Sequence, residues 1–215
     1  MILGSWRFAG QGLEHAYFFG AGGELIHSSR RSPDVAPDLA MLTWRIEGEE
    51  LLIDQPSAPR VDRLPFQLAS EATLRIGDSW YVRETEPLNP EAPRLALIAA
   101  AAWYGAQNVH PSGEPFIPFL MIERGVKREL VRLVASTAEE AERAAQERLA
   151  RDVFTRAAWA RDGRVRMPEP HDAVLVDCVE PGQPPLNYAA PYVLDGAAAR
   201  VRGFMRLDAT PPTFR

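Results

Sequence analysis

A chain of 215 residues that is 46% hydrophobic can bury the core of one large domain or two small ones, which excludes disorder as the default state. A formal net charge of -5 argues against nucleic acid as the main partner, because duplex binding rests on a cationic surface that displaces counterions. The single cysteine, Cys178, rules out an intramolecular disulfide and a cysteine-rich metal site, and it fits a reducing compartment.

Charge is unevenly placed along the chain: residues 1–86 carry 8 Arg against 13 Asp or Glu, whereas residues 87–215 balance 16 basic and 16 acidic side chains. Lys127 is the one lysine among 24 basic residues, a bias that fits a GC-rich bacterial genome. The opening Met1-Ile2-Leu3-Gly4-Ser5-Trp6 passes into strand-like sequence without the basic and long apolar regions of an export signal. The longest apolar run, residues 95–104, has about half the length of a membrane-spanning helix. The expectation is a cytoplasmic protein without membrane association.

In chain order, residues 6–8 open a strand, and residues 16–19 and 24–28 flank Gly20-Ala21-Gly22-Gly23 as a hairpin. A loop over 30–38 precedes a second hairpin, 42–46 with 50–53, turning at Gly48. Strands at 66–68, 73–76 and 80–83 follow, the last two joined by Gly77-Asp78. Alternation assigns one face to Trp6, Phe8, Trp44, Ile46, Leu51, Ile53, Phe66, Leu68, Leu74, Ile76, Trp80 and Val82, and the other to Arg7, Arg45, Arg75, Tyr81 and Arg83. Such a two-sided pattern predicts an antiparallel meander curled into a small barrel.

Residues 87–115 read as a proline-rich linker containing a short helix near 95–104. Residues 116–215 read as an α+β domain with an antiparallel sheet and one long helix. Its elements are a hairpin about Arg124-Gly125 and a helix from a capping box at 136–140 to about Arg151. A hairpin at Asp162-Gly163, a central strand at 173–179 and a last strand at 201–207 complete the series. The fold expected is therefore mainly β plus α+β, with a barrel over 1–86 and the α+β domain over 116–215.

Gly4-Ser5-Trp6 at the start of the meander, with Arg83 on its last strand, resembles the Gly-x-Trp and closing-Arg pattern of lipocalin-like and calycin-like domains. The resemblance implies that Trp6 plugs one end of the barrel, that Arg83 packs across it, and that the other end takes a hydrophobic ligand. The crowded inner face instead predicts a barrel filled by its own side chains. The C-terminal part, with Ala160-Arg161-Asp162-Gly163 leading into Asp172-Ala173-Val174-Leu175-Val176, is similar to uncharacterised bacterial domains that these motifs do not name.

Reaction chemistry is not legible in the sequence. Phosphate-binding glycine loops and the His-Glu-x-x-His zinc motif are missing, and His15, His27, His110 and His171 stand at no metal-ligand spacing. Cys178 reads as buried packing, and Glu139-Glu140 as helix-end stabilisation. No catalytic residue, metal or cofactor is assigned. An enzyme in the C-terminal domain would need His110, His171 and Asp172 to converge.

What remains is binding. The reading preferred is a non-catalytic protein-binding module of the immunity-protein, inhibitor or adaptor type, with Arg7, Arg45, Arg75, Arg83, Tyr188 and Tyr192 as interface residues. The alternative is a carrier or sensor of a small hydrophobic ligand, held in the barrel by Trp6, Trp44 and Trp80.

Overall fold

A computed structural model describes every residue except 11–12, 33, 57–59, 111, 113, 197 and 208–215, and the side chain of Met167. Residue 33 of the loop expected over 30–38, and residues 111 and 113 of the linker, thus lie outside it. The chain divides into two compact units, Met1–Ala96 and Leu97–Arg215.

The first unit is a closed antiparallel barrel of eight strands in simple up-and-down order. They are β1 (Gly4–Phe8), β2 (Glu14–Phe19), β3 (Glu24–Arg30), β4 (Asp38–Glu47), β5 (Glu50–Gln55), β6 (Arg60–Leu68), β7 (Thr73–Ile76) and β8 (Ser79–Glu84). Pairing of β1 with β8 closes the ring, with Trp6 opposite Arg83 and Phe8 opposite Tyr81. Closure removes most of the free sheet edge that so short a meander would otherwise expose.

Up-and-down order sorts the connections between the two ends. The turns at 20–23, 48–49 and 69–72 follow strands that run toward the end where the chain enters, and the turn at 77–78 follows one that runs away from it. Gly48 and Gly77 adopt φ of 63° and 58°, which the two-residue turns require. The core joins Ile2, Trp6, Phe19, Leu25, Leu51, Ile53, Leu74, Ile76 and Tyr81, with Phe8, Tyr17, Trp44, Leu64 and Phe66 packed against it.

Strand β8 has the opposite facing to the one expected from its sequence. Tyr81 is buried, whereas Trp80 and Val82 are 45% and 38% exposed. The two-residue turn sets this, because it places Ile76 opposite Ser79 and Leu74 opposite Tyr81, and opposed residues share a side. Arg83 follows Tyr81 to the inner side. Ile46, near the end of its strand, is also 42% exposed.

Helix α1 (Ala92–Gln107) is longer than the segment expected within a linker, and Leu95, Leu97, Ile98, Ala99, Ala101 and Ala102 are fully buried. An apolar helix without a polar face must be covered all round. Among the described residues, no helix is long and apolar enough to cross a membrane.

The second unit holds a sheet ordered β10 (Lys127–Arg132), β9 (Phe119–Arg124), β11 (Arg156–Met167), β12 (Glu169–Val179), β13 (Leu186–Asp195) and β14 (Ala198–Val201), with β15 (Met205–Arg206) also on β13. Ala141 and Ala145 of helix α2 (Ala138–Arg151) pack on Leu120, Ile122 and Ala157. The later turns of α1 lie on the other face, where Tyr104 meets Phe119 edge-on at 5.0 Å and Gly105 approaches Val174. Thr137 caps α2 by accepting from the Glu140 N–H, and Glu140 reaches back to the Ser136 N–H. Among the described residues the helices are α1, of 16 residues, and α2, of 14, the latter over the segment expected for the helix of the α+β domain.

The hairpin expected at Asp162-Gly163 is not there. β11 runs straight through both residues and the chain reverses between Met167 and Glu169. Gly163 serves packing instead: a Cβ at this position would stand 2.5 Å from Cδ1 of Leu175. The dipeptide signals a turn only where no neighbour crosses so closely.

Candidate functional site

The entry end of the barrel is sealed by residues at the chain start and by Arg83. Trp6 is fully buried and donates its indole N–H to the Ile2 carbonyl at 2.6 Å. Arg83 lies over the Trp6 ring, its Cζ 4.3 Å from the centroid, and donates to the carbonyls of Met1, Leu3 and Glu71. One guanidinium thus ties β8, the β6–β7 connection and the chain start together, as the motif resemblance implied.

Above this seal the interior becomes polar. Phe8, His15, Tyr17, His27 and Tyr81 face inward and form one chain of ring contacts: Phe8 to His15 at 4.6 Å, His15 to Tyr81 at 5.5 Å, Tyr17 to Tyr81 at 5.4 Å and Tyr17 to His27 at 5.0 Å. Tyr17 continues it to Phe19, and Phe19 to Trp44. The Tyr17 and Tyr81 side chains interact through their hydroxyls, and Ser79 acts on Tyr81 in the same way. Burial pushes both phenols up; burial also pulls His15 and His27 down, and His15 depresses His27 further. The cluster is therefore uncharged at neutral pH, with hydroxyl and imidazole groups that can donate or accept. Strand alternation held a signal for it, since His15, Tyr17 and Phe19 share one side of β2.

The three tryptophans expected to hold a ligand do not converge. Trp6 is sealed at the entry end, Trp44 is half-buried with its indole donating to the Gly20 carbonyl at the same end, and Trp80 stands outside the barrel.

The outer face of β7, β8 and β1 carries the other grouping. Trp80 is flanked by Arg75, whose Cζ lies 5.9 Å from the ring, and Val82 pairs with Arg7 across the strand. Arg7 bonds Glu84 at 3.0 Å, and Arg75 stands 3.6 Å from Asp78. Trp80 and Val82 are exposed on this outer face, at 45% and 38%. Arg45 is also outward, paired with Glu47.

In the second unit, Tyr188 and Tyr192 lie within β13 and are 6% and 7% exposed, so neither offers a contact face. The Tyr192 hydroxyl donates to Asp162 at 3.0 Å, while Arg164 bonds Asp172 at 2.9 Å in the next rung. Burial raises Asp162, and burial followed by the Asp162 charge raises Tyr192. His110 contacts Ser112, Asp172 is taken by Arg164, and His171 points to the opposite side of β12 from Asp172. Cys178 is buried. Among the described residues, no group of three or more His, Cys, Asp or Glu is placed to hold a metal ion.

No family model, curated protein or solved structure matches this chain.

Proposed function

We propose that the protein is a non-catalytic binding module that engages another protein through the outer face of its barrel. The observation that carries this reading is Trp80, nearly half exposed on a β-strand between Arg75 and the Arg7–Val82 pair. Tryptophan and arginine dominate binding energy at protein interfaces, and an aromatic ring on a rigid strand loses little entropy on docking. Arg7 and Arg75 are part of that face; Arg83 serves the barrel's own closure. An inhibitor, immunity protein or adaptor would work through such a rigid face.

Affinity capture with the intact chain and a Trp80→Ala variant, quantified by mass spectrometry, tests it. The expected result is one partner whose recovery falls by an order of magnitude or more in the variant. Equal recovery by both proteins overturns the assignment to this face.

A second reading, a carrier or sensor of a small hydrophobic ligand, draws on the uncharged His–Tyr cluster inside the barrel. Native mass spectrometry of the purified chain checks it: a retained small molecule supports the reading, and a mass equal to the bare polypeptide counts against it.

A further inference from the structure

Strand β6 changes partners at Pro65. Residues 60–65 pair with β5, and only residues 66–68 pair with the four-residue β7. The Phe66 N–H donates to the Glu49 carbonyl on the β5 side, and the Pro65 carbonyl accepts from the Gly77 N–H on the β7 side. Because successive residues of a strand direct their backbone groups to opposite neighbours, Val61 and Arg63 point the same way as Pro65. On that side β7 has already ended at its turn. Among the described residues, the N–H and C=O groups of Val61 and Arg63 have no strand partner there, and both residues are exposed.

A depression of about 720 Å³ lies where this free edge meets the end of the β6–β7 ladder. Leu64, Pro65 and Phe66 supply apolar lining, and Glu49, Glu50 and Asp78 supply carboxylates. Its own arginine, Arg75, is engaged: it donates to the Gly77 carbonyl, stands beside Asp78 and lies over Trp80. Arg63 bonds Glu50, while Glu49 has no ion pair among the described residues. Acidic lining beside apolar surface, in the part of the chain with the acidic excess, complements a cationic side chain on an apolar strand.

We infer that this edge accepts an added strand: an extended segment of a partner protein that bears Arg or Lys. Its backbone continues the sheet on Val61 and Arg63, and its cationic side chain enters the depression among Glu49, Glu50 and Asp78. Main-chain pairing supplies affinity and the pocket supplies selection, the usual division in strand addition. The inference rests on the protein-binding reading and narrows the partner to a basic, extended segment. The guarding charges Arg60 and Arg63 on the same edge oppose unselected strand pairing.

The test is an ¹H–¹⁵N titration of the full chain with two acetylated, amidated pentapeptides, Val-Thr-Arg-Thr-Val and Val-Thr-Glu-Thr-Val. The Arg peptide is expected to shift the amides of Val61, Arg63 and Gly77 saturably, with the Glu peptide about tenfold weaker or worse. A Glu49→Lys, Asp78→Lys double variant, whose changes are on the surface, is expected to reverse that preference. Equal shifts with both peptides, or none with either, overturn the inference; so do concentration-dependent shifts at this edge without peptide, which mean that a second copy occupies it. A photo-crosslinking residue placed at Trp80 separates the two levels. If it captures a partner while the peptides fail, strand addition falls and the protein-binding reading stands.

Discussion

Leu74 and Tyr81 stand directly opposite each other across the β7–β8 hairpin, and both point into the barrel. That pairing decides which residues of β8 belong to the core and which to the surface. Tyr81→Ala removes a buried ring and its contacts with Phe8, His15 and Tyr17, and is expected to cost about 3–5 kcal/mol. Trp80→Ala, one residue away, is expected to change stability by less than about 1 kcal/mol. Urea denaturation of both variants checks this; a larger loss at Trp80 than at Tyr81 would mean that the facing is reversed.

The barrel was legible in the sequence because short alternating runs and tight glycine turns act locally. The facing of β8 was misread by polarity: Trp80 and Val82 are more apolar than Tyr81 and Arg83, so alternation alone chose the wrong side. The turn held the correction, since a two-residue Gly77-Asp78 loop forces Tyr81 to the side of Leu74. Asp162-Gly163 failed for the converse reason, a turn signal produced by the crowding of Leu175 from the neighbouring strand. The free edge of β6 was not legible, because it arises where two ladders of different register end, and single-strand patterns carry no register.

Arg83 holds the sealed end by stacking and by three hydrogen bonds to carbonyls. Arg83→Ala is expected to cost about 1–2 kcal/mol, discounted for its exposure to solvent. Arg83→Lys is expected to recover little, since an ammonium lacks the flat fork that stacks on Trp6 while reaching several acceptors. Thermal unfolding followed by tryptophan fluorescence reads both; full rescue by lysine would assign the effect to charge alone.

Gly163 is a packing position in the second unit. Gly163→Ala forces a Cβ to within 2.5 Å of the Leu175 side chain and is expected to destabilise by about 1–3 kcal/mol. Leu175→Ala costs stability by itself, through the cavity it leaves. Combining the two substitutions is expected to cost less than the sum of the single changes, because the cavity admits the new methyl group. A double-mutant cycle in urea measures the coupling, and simple additivity would show that the glycine is required for another reason.

The imidazoles inside the barrel give it an acid limit. Burial holds His15 and His27 below the ordinary histidine value, with His15 lowering His27 as well, so the unfolded chain binds more protons than the folded one just below pH 6.5. Stability contributed by the neutral rings is therefore complete above about pH 6.5 and is lost as pH falls through the depressed values of the folded state. Tyr17 and Tyr81, whose rings contact the imidazoles, stay protonated throughout this range and add no opposing charge change. His27→Phe replaces the more buried ring with one that cannot ionise, so its urea midpoint is expected to fall less than that of the parent between about pH 7.5 and 5.5. Identical slopes in the two proteins would place the acid sensitivity outside the barrel interior.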